Sequence, residues 1–489
     1  MRERTPGMKL MFAALIGAVL AVPLMMVYAL VYDRQSQSET ARASITQGWG
    51  GEQVIAGPVL VIPWRDVQVE TSEEGGRSVQ RSVEVTRELF VSPLEHRATT
   101  SLAPERRRKS IYQSVLYEGQ VRGTARFALP DDLQRFGVAR EALLLDRAEL
   151  RFGVSDARGL RPGSVVSVKG ELAGAPAANK WHPATPTSRQ LSIQPGKGLL
   201  ATGGQGFFGF LPWGGTGELT VDYRYGLRGS GQLALVPRGG ATRWTIASPW
   251  PHPSFSGSFL PDRSTVSGSG FQATYSVDKL ALGQAPVLLG DPGPPFIGRA
   301  GAVEPAAPTM STDRGGEATG PSRALVVGLI EPVDLYSQVD RAVKYGFLFI
   351  GFTFLAFLMF DIVGGARVAA AEYLLTGAGL VLFFVLLLAF AEVIGFTAAY
   401  LLASAAIIGL LTAYSAAVLG TWRRARFIGA LLVGLYALLY VLLNLEAWSL
   451  VIGSVLLFAA LAGVMYATRG VDWGSVGKRA EPGPAATGG

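Results

Sequence analysis

Hydrophobic positions fall along this chain in two rhythms. From Leu10 to Tyr32 they run almost unbroken, long enough for one helical crossing of a bilayer, which takes about 20 residues. From Asp33 to about Pro321 they alternate with polar positions in short stretches. These include "QVIAGPVLVIPW" (Gln53–Trp64), "SVEVTRELFVS" (Ser82–Ser92), "GELTVDYRY" (Gly217–Tyr225), "GQLALVP" (Gly231–Pro237) and "TRWTIAS" (Thr242–Ser248). A period of two between Gly- and Pro-rich breaks predicts strands. "PDDLQRFGVAREALLL" (Pro130–Leu145) predicts one short helix, and "RALVVGLIE" (Arg323–Glu331) one more strand. Past Val343 the unbroken rhythm returns over Val343–Phe360, Tyr373–Glu392, Val393–Leu419, Phe427–Leu445 and Trp448–Thr468. With the first run this makes six predicted spans. The fold class expected is an α+β membrane protein: a large β-rich, sandwich-like periplasmic domain plus a six-helix transmembrane bundle.

The expected divisions are a cytoplasmic N-terminus (1–9), a transmembrane anchor (10–32), a periplasmic β-rich domain (33–335), a five-span domain with a periplasmic junction helix (336–468) and a cytoplasmic tail (469–489). Within the β-rich domain, residues 290–322 are dense in Pro, Gly and Ala and read as a flexible insertion. The first apolar run is longer than a signal-peptide core and lacks a small-x-small cleavage site, so it reads as an uncleaved anchor. Basic residues set the orientation. Arg2, Arg4 and Lys9, then Arg367, then Arg423, Arg424 and Arg426, then Arg469, Lys478 and Arg479 all fall on the cytoplasmic side of six alternating spans. The two short outer turns, near Glu392 and at Asn444–Trp448, hold no Lys or Arg. Both termini are therefore expected in the cytoplasm of a bacterial cell, with the protein multi-pass in its inner membrane.

Composition adds little to this picture. A hydrophobic share of 49% and a mean hydropathy of +0.30 fit membrane spans. The net charge of +7 suits anionic lipid or nucleic acid, and placing the β-rich domain outside the cytoplasm removes nucleic acid as a partner. The chain has no cysteine, so it has neither disulfides nor thiolate chemistry.

Catalytic patterns are scarce. The three histidines, His96, His182 and His252, stand far apart without ligand-spaced neighbours, so no metal site or other cofactor is expected. "PGKGLL" (Pro195–Leu200) lacks the Ser or Thr a phosphate loop needs after Lys197, and "GQGFFG" (Gly204–Gly209) is followed by "FLPWGGTG", which breaks the helix a dinucleotide site requires. No catalytic residue is assigned. "SPWPHPSFSGSFLPD" (Ser248–Asp262) makes Trp250, His252 and Phe255 candidate ligand or partner contacts; the simpler reading is a rigid corner whose aromatic rings plug the core. Arg106, Arg107 and Arg108, in "RRRKS", read as a solvated turn or as a contact with lipid headgroups. Glu392 and Glu446 occupy the outer tips of two tight hairpins, either as hydrated turn residues or as proton, ion or lipid sites at the bilayer. Ala399, Ala403 and Gly409 suit close helix packing.

"YSQVDRAVKYGFLFIGFTFLAFLMFD" (Tyr336–Asp361) begins charged and ends apolar. It predicts a junction helix capped by Asp334 or Ser337 that continues into the second span. Asp340 pairs with Lys344 four residues on, and Arg341 lies between them. A continuous rod would transmit movement between domains; the simpler reading is an anchor with a solvated first turn.

Five stretches in order along nearly the whole chain resemble the CreD family of bacterial inner-membrane proteins, also called cell-envelope integrity proteins. They are "WGGEQVIAGPVLVIPW", "RRRKSIYQSVLYEGQVRGTARF", "SPWPHPSFSGSFLPD", "EPVDLYSQVDRAVKYGFLFIGFTFLAFLMFD" and "ALLYVLLNLEAWSLVIGSVLLFAALAGVMYATRGVDW". The resemblance implies an inner-membrane protein with a large periplasmic domain, linked in some members to envelope stress, β-lactam response and colicin tolerance under two-component control. It supplies no catalytic residues. The expected function is non-enzymatic support of envelope integrity or of the envelope-stress response. The periplasmic domain would bind membrane lipid, an envelope protein or a cell-wall component. The alternatives are a transporter or lipid-handling bundle built around Glu392 and Glu446, and an envelope enzyme supported only by scattered Ser, Asp and His.

Overall fold

The computed structural model of the chain describes residues 6–74, 77–109, 112–172, 187–211, 213–291, 324–330, 335–362, 369–444 and 449–469. The chain divides into two compact units, Met1–Glu39 with Val333–Gly489, and Thr40–Pro332.

Helix α1 (Pro6–Gln47) carries the first apolar run in the first unit and ends with its last residues, from Thr40, in the second. It does not stop at Tyr32 as the hydropathy suggests. The polar stretch that follows contains no Gly or Pro until Gly48, and the Asp33 carboxylate accepts a hydrogen bond from Gln37 Nε2 one turn on at 2.8 Å. With no Gly or Pro to break it, the helix propagates through this polar stretch. At about 1.5 Å per residue the 42 residues of α1 extend roughly 60 Å, about twice the thickness of a bilayer's hydrocarbon core.

The remaining helices of this unit are α3 (Leu335–Lys344), α4 (Gly346–Ile362), α5 (Ala370–Ile394), α6 (Phe396–Val418), α7 (Trp422–Asn444) and α8 (Ser449–Thr468); the short α2 (Lys279–Leu282) belongs to the other unit. Five helices, Leu10–Thr46, Leu335–Met359, Ala370–Ile394, Phe396–Val418 and Trp422–Leu443, are long and apolar enough to cross a membrane. α8 occupies the region read as a sixth span, and its apolar stretch among the described residues is the shorter Gly453–Gly463.

Close packing in this unit uses glycine. Leu20 and Leu24 of α1 seat on Gly377 and Gly346, where a Cβ would lie 2.0 and 2.9 Å from the leucine methyls. Without a hydrophobic force between helices in lipid, such close backbone approach supplies the contact area. Ala399 and Ala403 are buried as small-residue contacts, but Gly409, read the same way, has open space beside it.

The second unit is two sheets around one apolar core. Its strands in chain order are β1 (Gln53–Glu74), β2 (Arg77–Val91), β3 (Glu95–Lys109), β4 (Tyr112–Phe127), β5 (Glu149–Val154), β6 (Val165–Gly170), β7 (Thr187–Gln190), β8 (Ile193–Pro195), β9 (Gly206–Phe210), β10 (Leu219–Ser230), β11 (Gln232–Val236), β12 (Ala241–Ser248), β13 (Pro253–Gly257), β14 (Arg263–Ser267), β15 (Gly270–Asp278), β16 (Val287–Leu288) and β17 (Leu325–Leu329). One sheet runs β13-β17-β11-β1-β5-β9-β8, with β2 between β1 and β16; the other runs β14-β15-β12-β3-β4-β10-β6-β7. Both are mixed, because β1 pairs parallel with β11 and β3 parallel with β12. Their inward residues share the core: Ile55, Leu60 and Ile62 from one sheet meet Val121, Phe127 and Ile246 from the other. The Pro130–Leu145 region is not one α-helix but short 3₁₀ turns, beginning with Leu133–Phe136, which ends at a left-handed Gly137. Most of the stretch read as a flexible insertion, together with His182, lies outside the described residues.

One polar pair sits deep in this core. His96 Nε2 lies 2.7 Å from the Tyr223 hydroxyl, and both side chains are buried. Burial holds His96 down to about 4, against 6.5 for a free histidine. Its neutral form is therefore the folded form, so stability present above pH 6.5 is lost as pH falls toward 4. A lowering of that size corresponds to about 3 kcal/mol. Chemical denaturation of the full chain, followed by aromatic circular dichroism at pH 7 and pH 4.5, should show most of that loss. In His96→Gln, which keeps a polar partner for Tyr223 but does not titrate there, this part of the loss should vanish. An equal pH dependence in both proteins would remove His96 as its source.

Candidate functional site

Where α1 ends, the chain makes a polar knuckle. Gly48 to Gly51 break the helix, Gly50 with φ of +116°, a conformation other residues resist. Gln53, the first residue of β1, is fully buried. Its Nε2 donates to the carbonyls of Arg228 (2.9 Å) and Asp156 (3.2 Å). Tyr117 donates to the Gln232 carbonyl at 2.8 Å, and Gln232 in turn donates to Glu52 at 2.7 Å.

Trp49 lies between two guanidinium groups, Arg107 at 4.0 Å and Arg228 at 4.1 Å from a ring centroid. Lys109 Nζ donates to Ser44 Oγ, on α1, at 2.6 Å. The basic run is thus not a turn. It forms the outer end of β3, with Arg106, Arg107 and Arg108 opposite Val115, Ser114 and Gln113. Both faces of this hairpin end are largely exposed, so no alternation marked it as strand.

The aromatic corner meets the same hairpin. The Arg106 guanidinium stands 4.8 Å over the Trp250 ring, and Trp250 Nε1 donates to the Ile330 carbonyl at 3.0 Å. Trp250 is 5% exposed, while Phe255 packs edge-on against Phe271 at 5.9 Å. Both rings therefore face the core. His252 is exposed, and its carbonyl accepts from Ile330 N at 3.3 Å. The structure brings these residues into two basic–aromatic contacts, Arg106 with Trp250, and Arg107 with the unforeseen Trp49 and Arg228. A tryptophan directly before two glycines at a helix end was the available signal for Trp49. Arg228 carried none, because it arrives from a distant strand.

Two charge networks were also not foreseen. Arg151, buried on β5, reaches both Glu149 and Glu88, and Glu149 accepts from Lys197 Nζ at 2.5 Å. Lys197 has φ of +44°, so the loop that failed as a phosphate site is wound to aim its ammonium at a buried carboxylate. Arg238 and Asp291 form a 2.7 Å ion pair with side chains only 4% and 2% exposed. Among the described residues, no group of three or more Asp, Glu or His side chains is placed to hold a metal ion.

In the helical unit, Glu392 lies near the end of α5 with 11% of its side chain exposed. It accepts a hydrogen bond from the Tyr336 hydroxyl at 3.1 Å, and its other oxygen is 3.9 Å from Arg34 of α1. The turn residue of the hydropathy reading is therefore a tie between α1, α3 and α5. Asp340 and Lys344 pair at 2.6 Å, and Arg341 Nε donates to the Ser337 carbonyl at 3.3 Å. The junction helix runs on into the span as Leu335–Met359, with one irregularity at Tyr345, whose N–H is shared between the carbonyls of Arg341 and Ala342. Glu446 and Asp334 lie outside the described residues.

The family description "Inner membrane protein CreD" matches residues 5–474. The inner membrane protein CreD of Escherichia coli (strain K12) is 32% identical over 467 residues, covering 94% of this chain and 92% of its own length. With five helices long and apolar enough to cross a bilayer, that likeness puts the chain in the inner membrane as a multi-pass protein.

Trp49 is the residue on which the knuckle closes. A partly exposed cation–π contact contributes about 0.5–1 kcal/mol and more when desolvated. In Trp49→Leu, amide hydrogen exchange at Gly50, Gly51 and Val54 of the full-length protein should therefore rise about tenfold, the factor equivalent to about 1.4 kcal/mol. Trp49→Phe should rise less. Unchanged exchange in Trp49→Leu would show that the Gln53 hydrogen bonds hold the knuckle alone.

Proposed function

The chain belongs to the CreD family of inner-membrane proteins, and from that premise we propose that it is a non-enzymatic protein of envelope integrity or envelope-stress response. In this reading the β-rich unit lies on the periplasmic side and binds an envelope component or a protein partner. The helical unit crosses the membrane six times with both termini in the cytoplasm, as the distribution of Arg and Lys suggests. The observation that carries the reading is the bracing of both chain connections to the β-rich unit. Arg34 precedes one connection and Tyr336 follows the other, and one carboxylate, Glu392, holds both. On the β-rich side of the first connection, the Trp49 knuckle fixes the chain again. Such bracing at both roots suits a protein that relays occupancy of its binding unit to the bundle.

A second reading, transport or lipid handling through the bundle, draws on Glu392 and on buried polar atoms left without hydrogen-bond partners, Gln338 Oε1, Thr353 Oγ1 and Thr376 Oγ1. Native mass spectrometry of the protein extracted into lipid nanoparticles, wild type beside Glu392→Gln, separates the two. Relay through the β-rich unit predicts a stoichiometric envelope partner retained in both. Transport predicts a lipid or precursor retained by the wild type and lost in the variant. Relay also predicts that a flexible Gly/Ser insert between Asp340 and Val343 impairs envelope phenotypes at normal protein level. A phenotype unchanged by the insert would remove the relay.

A further inference from the structure

On the outer face of the second sheet one guanidinium, that of Arg243, is paired with no carboxylate among the described residues. By strand alternation, Glu95 and Arg97 of β3, Ala241 and Arg243 of β12, and Ser276 and Asp278 of β15 share this face. His96, Thr242 and Val277 between them are buried. Together these residues line a cavity of about 230 Å³. Ala241, directly opposite both Glu95 and Asp278, has no long side chain to fill it.

The carboxylate nearest the arginines is already engaged. Glu95 bonds Arg97 at 2.5 Å and Arg126 at 3.1 Å. Arg243 sits opposite Arg97 in register, and among the described residues its side chain has no ion pair or hydrogen bond. Like charges directly opposite on neighbouring strands are destabilising. Arg97 is relieved by Glu95, whereas the exposed Arg243 guanidinium stays available to an anion that enters the cavity. The rest of the lining is not that of a bare anion site. The Ser276 hydroxyl both donates and accepts. Asp278 spends Oδ1 on the Leu280 amide at 3.0 Å and keeps its other oxygen for an external donor. The cavity is smaller than the ~300–1,000 Å³ typical of sites for drug-sized ligands, so it admits a single ring.

We propose that this cavity binds an acidic sugar, one ring carrying a carboxylate or a phosphate. The Arg243 guanidinium takes the anionic group in its planar fork, with Arg97 beside it, and Ser276 and Asp278 take ring hydroxyls. This deepens the reading of the β-rich unit as an envelope-binding domain and rests on it.

The test is isothermal titration of the full-length protein in lipid nanodiscs with D-glucuronate, glucose 1-phosphate, D-glucose and inorganic phosphate. At least one acidic sugar should bind saturably, tenfold or more tightly than glucose or phosphate. Which of the two binds tells carboxylate from phosphate. Arg243→Gln should weaken that binding at least tenfold. Arg263→Gln, an exposed change on neighbouring β14, should leave it within twofold. Three results would each overturn the proposal: no saturable binding of either acidic sugar, phosphate binding as tightly as the sugars, or full affinity in Arg243→Gln. If one of these occurs while an envelope component still co-purifies with the protein, only this cavity is lost and the domain reading stands. If no component co-purifies but Arg243-dependent sugar binding persists, the broader reading needs replacement and the site remains.

Discussion

Gln53 is the hinge pin of the β-rich unit. A buried amide must find partners for its donors and acceptor or forfeit about 1–3 kcal/mol for each group left unmade. Gln53 finds them on the backbones of Asp156 and Arg228, two segments far away in sequence. That demand fixes where α1 stops, because only the run of glycines before it lets the chain leave a helix and enter a strand within a few residues. It also sets the start of β1, the strand that pairs with β11, β5 and β2 in turn. Arg107 and Arg228 pack on Trp49 beside the same knuckle.

Charge is handled differently in the two settings the chain occupies. Inside the β-rich unit, buried ions are compensated within the fold, as in Arg238 with Asp291 and Glu149 with Arg151 and Lys197. Breaking such a pair leaves an uncompensated buried charge, at a cost of about 3–5 kcal/mol, while the intact pair adds little net stability. In the helical unit the largely buried Glu392 is shared among three helices. There a lone carboxylate at a span's end would favour water or lipid headgroups, and the tyrosine hydroxyl and arginine hold it against the protein instead.

Much of this was written in the sequence. Long apolar runs determine helices that cross a bilayer, because the chain must satisfy its own backbone hydrogen bonds there. Alternating runs determine strands with one buried face, and five quoted stretches sufficed to place the chain in its family. The Asp340–Lys344 pair was legible too, since helical spacing alone makes them neighbours. What the sequence could not decide rests on partners brought from afar or on the absence of a pattern. The helix past Tyr32 carries no apolar rhythm, and the basic strand end is wet on both faces. Trp49 meets Arg228, and Glu392 meets Arg34, only once sheets and helices have packed. Arg243 acquires its significance the same way: its unpaired charge shows only after Glu95 has taken Arg97 and Arg126. Local periodicity reports which solvent a segment faces; which groups then meet across that surface is a property of the folded chain.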